Sequence, residues 1–276
     1  MKKRWLTAQQ SEKNFWEESF ADEPAFRKMC LSFYPLYNNI LERNNIDTND
    51  MNVLDIGSGP YGFVSVIDAK RKVAIDPLMN YFVTKVPEEF YLKNNLNLVD
   101  GVGENLDIMP SKSFDLVCCL NTLDHAEDPR KVMSEANRVL KSDGYLLLSV
   151  NHYAWPIALY RWLLEMYGLG DRNHPNTYHL NDITNLIYKY NFKVIDQKLG
   201  EVNESKKIIS EVGGTTAISF KERMHRALKT KGLWYVIKQA IVTPGHLILN
   251  KLFTTYPDSI FLCKKEVAIV VELPAH

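Results

Sequence analysis

A strand that stops in a glycine-rich turn constrains this chain more than any other feature. Val53-Leu54-Asp55-Ile56 is a short β-favouring run with a single acid, and it breaks into Gly57-Ser58-Gly59-Pro60-Tyr61-Gly62. An apolar run bounded by turn residues reads as a buried parallel strand. Glycines just past its carboxyl end let a ligand approach the backbone where a side chain would block it. Open α/β sheets bind their ligands at that edge. The carboxylate of Asp55, two residues before Gly57, suits a cationic ligand better than a pyrophosphate.

The following segments repeat the strand pattern in order. Lys72-Val73-Ala74-Ile75-Asp76 reads as a second strand ending in an acid, followed by Pro77. A carboxylate there can accept hydrogen bonds from ribose hydroxyls. Leu96–Asp100 reads as the third strand and Phe114–Leu120 as a fourth, apolar on both faces as a central parallel strand should be. A helix is expected over 130–140, a turn at Asp143-Gly144, and a fifth strand at Tyr145–Val150. Helix 181–190, strand Phe192–Lys198 and a final strand at Ile260–Lys264 complete the expected α/β sheet.

On these residues the chain resembles the class I, Rossmann-like methyltransferases that use S-adenosylmethionine (SAM), and more distantly the ubiquinone-pathway O-methyltransferases. The resemblance rests on the apolar-apolar-Asp-apolar-Gly-x-Gly motif at 53–59, Asp76, the Gly103-Glu104-Asn105-Leu106 loop, and Asn121-Thr122-Leu123-Asp124-His125 after the fourth strand. It implies a seven-stranded sheet with helices on both faces and a last strand inserted antiparallel. It further implies a site for SAM, with S-adenosylhomocysteine (SAH) as product. Asp55, Gly57, Ser58 and Gly59 would hold the amino-acid end, and Asp76 and Pro77 the ribose. Gly103, Glu104, Asn105 and Leu106 would surround the adenine, with Leu106 over its face. Asn121, Thr122 and Leu123 would face the methyl group. In the ubiquinone-pathway enzymes two carboxylates and a histidine in that last stretch bind a divalent metal. Asn121 replaces the first acid here, and no metal is assigned.

Transfer to a hydroxyl needs a base, and histidine suits neutral pH. His125 is the first candidate, His152 just past the fifth strand the second, and His179 and His174 follow in a polar stretch.

Three segments lie outside the expected core. Residues 1–48 form an N-terminal helical cap or lid, with Phe15, Trp16, Phe20, Phe26, Met29, Phe33, Tyr34 and Tyr37 at helical spacing over 11–45. Residues 49–200 and 259–276 form the SAM-binding core, with 151–180 an acceptor-side insertion. Residues 201–258 form a helical insertion before the last strand. In it Lys221, Arg223, Arg226, Lys229, Lys231, Lys238 and Lys251 accompany an apolar face of Leu233, Trp234, Ile237, Ile241 and Leu247, broken at Pro244-Gly245. Such a basic amphipathic pair can touch an anionic membrane or close over a lipid-like acceptor.

Composition narrows the partners. Lys and Arg total 33 against 33 Asp and Glu, so bulk nucleic-acid affinity is not expected. Cys30, Cys118, Cys119 and Cys263 lack metal-ligand spacing and read as buried thiols. Neither a signal peptide nor a spanning segment is legible, so a cytoplasmic, at most membrane-peripheral, protein is expected. The expected activity is methyl transfer to a small or lipid-like acceptor, at a hydroxyl oxygen. An NAD-dependent oxidoreductase sharing the glycine loop and a non-catalytic SAM- or SAH-binding module are the alternatives. The oligomeric state is not legible.

Overall fold

The computed structural model describes residues 2–153, 174–200 and 255–266, with 159, 161 and 163. The basic amphipathic segment, most of 151–180 and the C-terminal residues lie outside the described residues. Seven strands form one sheet in the order β3-β2-β1-β4-β5-β7-β6. They are β1 (Asn52–Ile56), β2 (Arg71–Asp76), β3 (Leu96–Asp100), β4 (Phe114–Leu120), β5 (Leu140–Tyr153), β6 (Phe192–Lys198) and β7 (Thr255–Lys265). β1 through β5 pair in parallel. β7 runs antiparallel between β5 and β6, as the resemblance implied. The order reverses between β1 and β4, and such a switch point opens a crevice at the carboxyl edge of the strands.

Helices cover both faces. On one side α6 (Pro129–Val139) and α7 (Leu180–Lys189) contribute Val132, Met133, Ala136, Ile183 and Ile187 to a core with Leu54, Ile56, Val117 and Leu148. On the other, α3 (Tyr34–Arg43) lays Tyr37, Ile40 and Leu41 against Val53, Leu116, Leu147 and Leu262. Residues of β1 and β4 alternate between these two clusters, as the period of a strand requires. α1 (Lys2–Ser19) and α2 (Glu23–Ser32) complete the N-terminal cap. A third cluster joins them to the sheet edge, where Phe26 and Tyr61 are buried and Trp16 and Phe20 pack partly buried beside them. Two short helices, α4 (Met79–Phe82) and α5 (Glu88–Lys93), connect β2 to β3.

Local chemistry sets several boundaries. Asp128 caps α6 by accepting the Arg130 N–H at 3.1 Å, with Pro129 in the first turn. The chain leaves α3, α5 and α7 through Asn45, Asn95 and Asn191, all at positive φ, a conformation asparagine tolerates.

Strand five corrects the sequence reading. It starts at Leu140 and absorbs the expected Asp143-Gly144 turn, with a register shift opposite Phe114/Leu116. Gly144 permits this, because a Cβ there would lie 3.1 Å from the Asp115 carbonyl oxygen and 2.8 Å from Leu140 Cδ2. The strand also runs on to Tyr153, so His152 lies within it and not past its end.

Candidate active site

Two adjoining cavities occupy the carboxyl edge of β1, β2 and β4, and both are lined by Gly57 and Asn121. The backbone between β1 and β2 builds their floor. Gly57 and Gly59 have φ of 66° and 61°, the left-handed region that favours glycine. The Gly57 N–H donates to the Ile75 carbonyl at 2.8 Å, pinning the loop to β2. A Cβ on Gly57 would lie 2.3 Å from Thr122 Cγ2, so the turn and the loop after β4 touch backbone to side chain. Thr122 Oγ1 donates to the Ile56 carbonyl at 3.0 Å and holds that contact.

The first cavity is lined by Cys30, Phe33, Tyr34, Tyr37 and Phe63 with the carboxylate of Asp55. Asp55 is 1% exposed and accepts the Val64 N–H at 3.2 Å, so it also ties down the turn that follows the glycine loop. Burial pushes its carboxyl up to about 7. Asn121 sits at the junction with φ of 51°. Its amide NH2 donates to the Tyr37 hydroxyl at 3.4 Å, and its carbonyl accepts from Ser149 Oγ at 3.2 Å. The Asn121 oxygen is thereby turned into the core.

The second cavity collects Gly57, Asp76, Pro77, Gly103, Glu104, Asn121, Thr122 and His125. Asp76 accepts the Gly59 N–H at 2.9 Å and the Leu78 N–H at 2.8 Å, which ties the end of β2 to the glycine loop. Burial raises it to about 7, with further contributions from Glu12 and Asp100. Val102, Ala126 and Val132 supply an apolar wall. A Cβ on Gly103 would lie 2.5 Å from Ile56 Cγ2, so this loop lies directly on β1.

Several residues expected at the cofactor serve the scaffold. Leu106 is fully buried in the α6-side core, where its N–H donates to Glu135. Leu123 is likewise core, and its carbonyl accepts the Tyr178 hydroxyl at 3.1 Å. Asn105 is exposed and accepts the Asp107 N–H in a local turn. Glu104 lines the cleft, yet its Oε1 accepts the Glu127 N–H at 2.7 Å and clamps the adenine-side loop to the loop before α6. Among the candidate histidines, His125 alone lines either cavity. His152 is 2% exposed at the bridge to Tyr178, and burial pushes its imidazole down to about 4. His179 caps α7, with Nδ1 accepting the Asn181 N–H at 3.3 Å. His174 stands with its ring centroid 4.6 Å from that of His125.

Helix α1 supplies what the sequence reading missed. Trp5, Gln9 and Glu12 line the second cavity, spaced as one helix face. That spacing is the available signal, and it lies mostly ahead of the aromatic stripe over 11–45.

The lining tests the cofactor. Among the described residues around the two cavities stand the acids Glu12, Asp55, Asp76 and Glu104, and neither Lys nor Arg. A pyrophosphate would meet uncompensated negative charge, whereas a sulfonium and an ammonium are attracted to it. Aromatic faces beside Asp55 would attract a cation further.

The comparisons agree. Residues 25–197 match the methyltransferase-domain family. A thiol S-methyltransferase, TMT1B of Rattus norvegicus, is 31% identical over 102 residues, covering 36% of this chain and 42% of that protein. The mitochondrial ubiquinone biosynthesis O-methyltransferase of Dictyostelium discoideum is 21% identical over 183 residues, 59% of this chain and 57% of that protein. This chain thus spans about half or less of these curated relatives. Phosphoethanolamine N-methyltransferase 2 of Haemonchus contortus, solved with SAM, superposes with a TM-score of 0.55 at 18% identity. That superposition covers 84% of this chain and 53% of that one. The oxidoreductase alternative falls with the family match. The chain belongs to the methyltransferase-domain family.

Proposed function

We propose that the protein methylates a hydroxyl oxygen of a small, apolar or lipid-like acceptor. When bound, SAM supplies an electrophilic methyl group on a sulfonium, so the protein's work is alignment and the exclusion of water. The glycine turn and Asp55 receive the amino-acid end, and Asp76 with Pro77 the ribose. The apolar wall of Val102, Ala126 and Val132 takes the adenine in place of Leu106. Thr122 and Asn121 fix the loop that faces the transferred group. His125 handles the acceptor's proton; its position in the cofactor cleft is the single observation that favours it over His152 and His179. The aromatic wall of Phe33, Tyr34, Tyr37 and Phe63 supports an apolar acceptor.

Calorimetry with SAM, SAH and NAD tests the cofactor assignment, with micromolar SAM or SAH affinity and no NAD binding expected. An acceptor screen with phenols, quinols, glycolipids, thiols and amines then tests the oxygen preference. His125→Ala should lower turnover about 100-fold or more, in the range of a lost proton-transfer group, with SAH affinity within a few-fold of wild type. Equal turnover would place the proton chemistry elsewhere. Activity confined to thiols or amines would replace the hydroxyl reading.

A further inference from the structure

The loop after β4 begins in a strained residue. Among the described residues, Asn45, Asn95, Lys112, Asn121 and Asn191 are the non-glycine residues at positive φ. Asn45, Asn95 and Asn191 follow helices, whereas Asn121 follows a strand and lines both cavities. A residue with a Cβ adopts this conformation only where its surroundings impose it, and such sites cluster at functional clefts. Three side chains from three elements impose it here. The Tyr37 hydroxyl of α3 donates to Ser149 Oγ of β5 at 3.5 Å, and Ser149 Oγ donates to Asn121 Oδ1 at 3.2 Å. The Asn121 NH2 donates back to the Tyr37 hydroxyl at 3.4 Å, so each group gives one bond and takes one. Tyr37 is 3% exposed and Ser149 0%, and burial strengthens a closed triangle of this kind. The Asn121 N–H also donates to the Ser149 carbonyl at 2.8 Å, which fixes backbone and side chain to one partner.

The conformation decides where the next residue goes. Thr122 follows, with Oγ1 bonded to the Ile56 carbonyl and Cγ2 filling the space over Gly57. Gly57 after β1 and Asn121 after β4 are thus two left-handed turns set against each other at the switch point. An Asn121 relaxed to the right-handed or extended region would redirect Thr122 and reshape the floor of the cleft. We propose that Tyr37 and Ser149 are positioning residues for the cofactor, closing a triangle that holds Asn121 left-handed and the Thr122 loop against the glycine turn. The proposal rests on the reading that this cleft takes SAM. It makes one hydroxyl on α3, a helix of the N-terminal cap, a determinant of the shape of the cleft, although α3 otherwise packs on the opposite face of the sheet from α6.

The test is a double-mutant cycle read by SAH calorimetry on the full chain, with no methyl acceptor needed. Tyr37→Phe keeps the aromatic ring against Tyr34 and Phe63 and removes only the hydroxyl. It should weaken SAH binding about three- to tenfold, the range of one lost hydrogen bond, and Ser149→Ala should do the same. Glycine adopts the left-handed turn without the triangle. In an Asn121→Gly background Tyr37→Phe should therefore change SAH affinity by less than about twofold. Asn121→Ala has neither the triangle nor the freedom of glycine, and should bind SAH about fivefold or more weakly than Asn121→Gly. A tyrosine that only packs would cost the same in both backgrounds. Far-ultraviolet dichroism checks that each variant keeps the sheet. Wild-type affinity in Tyr37→Phe, an equal loss in both backgrounds, or no SAH binding by Asn121→Gly would each overturn the positioning role. Failure of the wild-type chain to bind SAM or SAH is read first and overturns the cofactor reading itself, and this proposal with it.

Discussion

At the scale of single residues, the cofactor site depends on backbone conformations that one residue type supplies. Gly57→Ala would put a methyl group into Thr122 and hold alanine at a positive φ. That strain is of order 1–3 kcal/mol, so SAH affinity should fall about tenfold or more, with a lower melting temperature. Calorimetry and thermal melts read both. Asp55 and Asp76 are the second residue-scale feature. Each ordinarily titrates at 3.8, and burial carries each to about 7 in the folded chain. Between about pH 4 and 7 the folded state therefore holds protons that the unfolded chain has released. Stability from these groups falls as pH rises through that window. Asp55→Asn cannot titrate, so its melting temperature should vary less with pH over the same range. Superimposable slopes for wild type and variant would show that Asp55 is ionised throughout.

At the scale of elements, α1 is more than packing. Trp5, Gln9 and Glu12 face the cofactor cleft, while Trp16 packs edge-on against Phe26 and Phe82. Removing residues 2–19 should weaken SAH binding about tenfold or more, because one wall of the cleft and its water exclusion go with the helix. The sheet should survive, since its two cores are formed by α3, α6 and α7. Calorimetry on the truncated chain checks the first point and far-ultraviolet dichroism the second. On the distal side, α3 is tied to β6 by Arg43, whose Nε and Nη2 reach Asp196 at 2.6 and 2.7 Å. Lys265 donates to the carbonyls of Asn137 and Leu140 at 2.6 and 2.8 Å, fastening β7 to the end of α6.

At the scale of the whole molecule, one sheet carries the cleft at the switch between β1 and β4. The basic amphipathic stretch at 221–251 remains a proposal about membrane or lipid contact. No described helix is long and apolar enough to cross a membrane. The intact chain should co-sediment with vesicles containing anionic lipid, and deletion of 221–251 should abolish that binding. Absence of binding by the intact chain ends the idea, and unchanged binding after the deletion relocates it.

The strands, their order along the chain and the identity of the glycine turn were legible because each depends on neighbours in sequence. A period of two, a run of β-branched residues and a glycine at a tight turn are local facts. The positions of Asp76 at the end of β2 and Gly57 just past β1 were legible for the same reason, since strand ends are local features. Side-chain duties across elements were not. Leu106 and Leu123 look like loop residues over a ligand, yet packing of α6 and α7 draws them into the core. Glu104 looks like a cofactor contact, yet the backbone N–H groups of a loop far along the chain claim it. His152 lost its place in the cleft because β5 runs on to Tyr153 and buries it, and His179 because the first turn of α7 needed a cap. His174 joined Asp124 and His125 only through the return of the chain beside the loop after β4. Sequence alone therefore determined the sheet and the glycine turn, and through them the family resemblance that implies the cofactor. The tertiary structure alone decided which polar side chains line the cleft, because distant backbone groups compete for the same donors and acceptors.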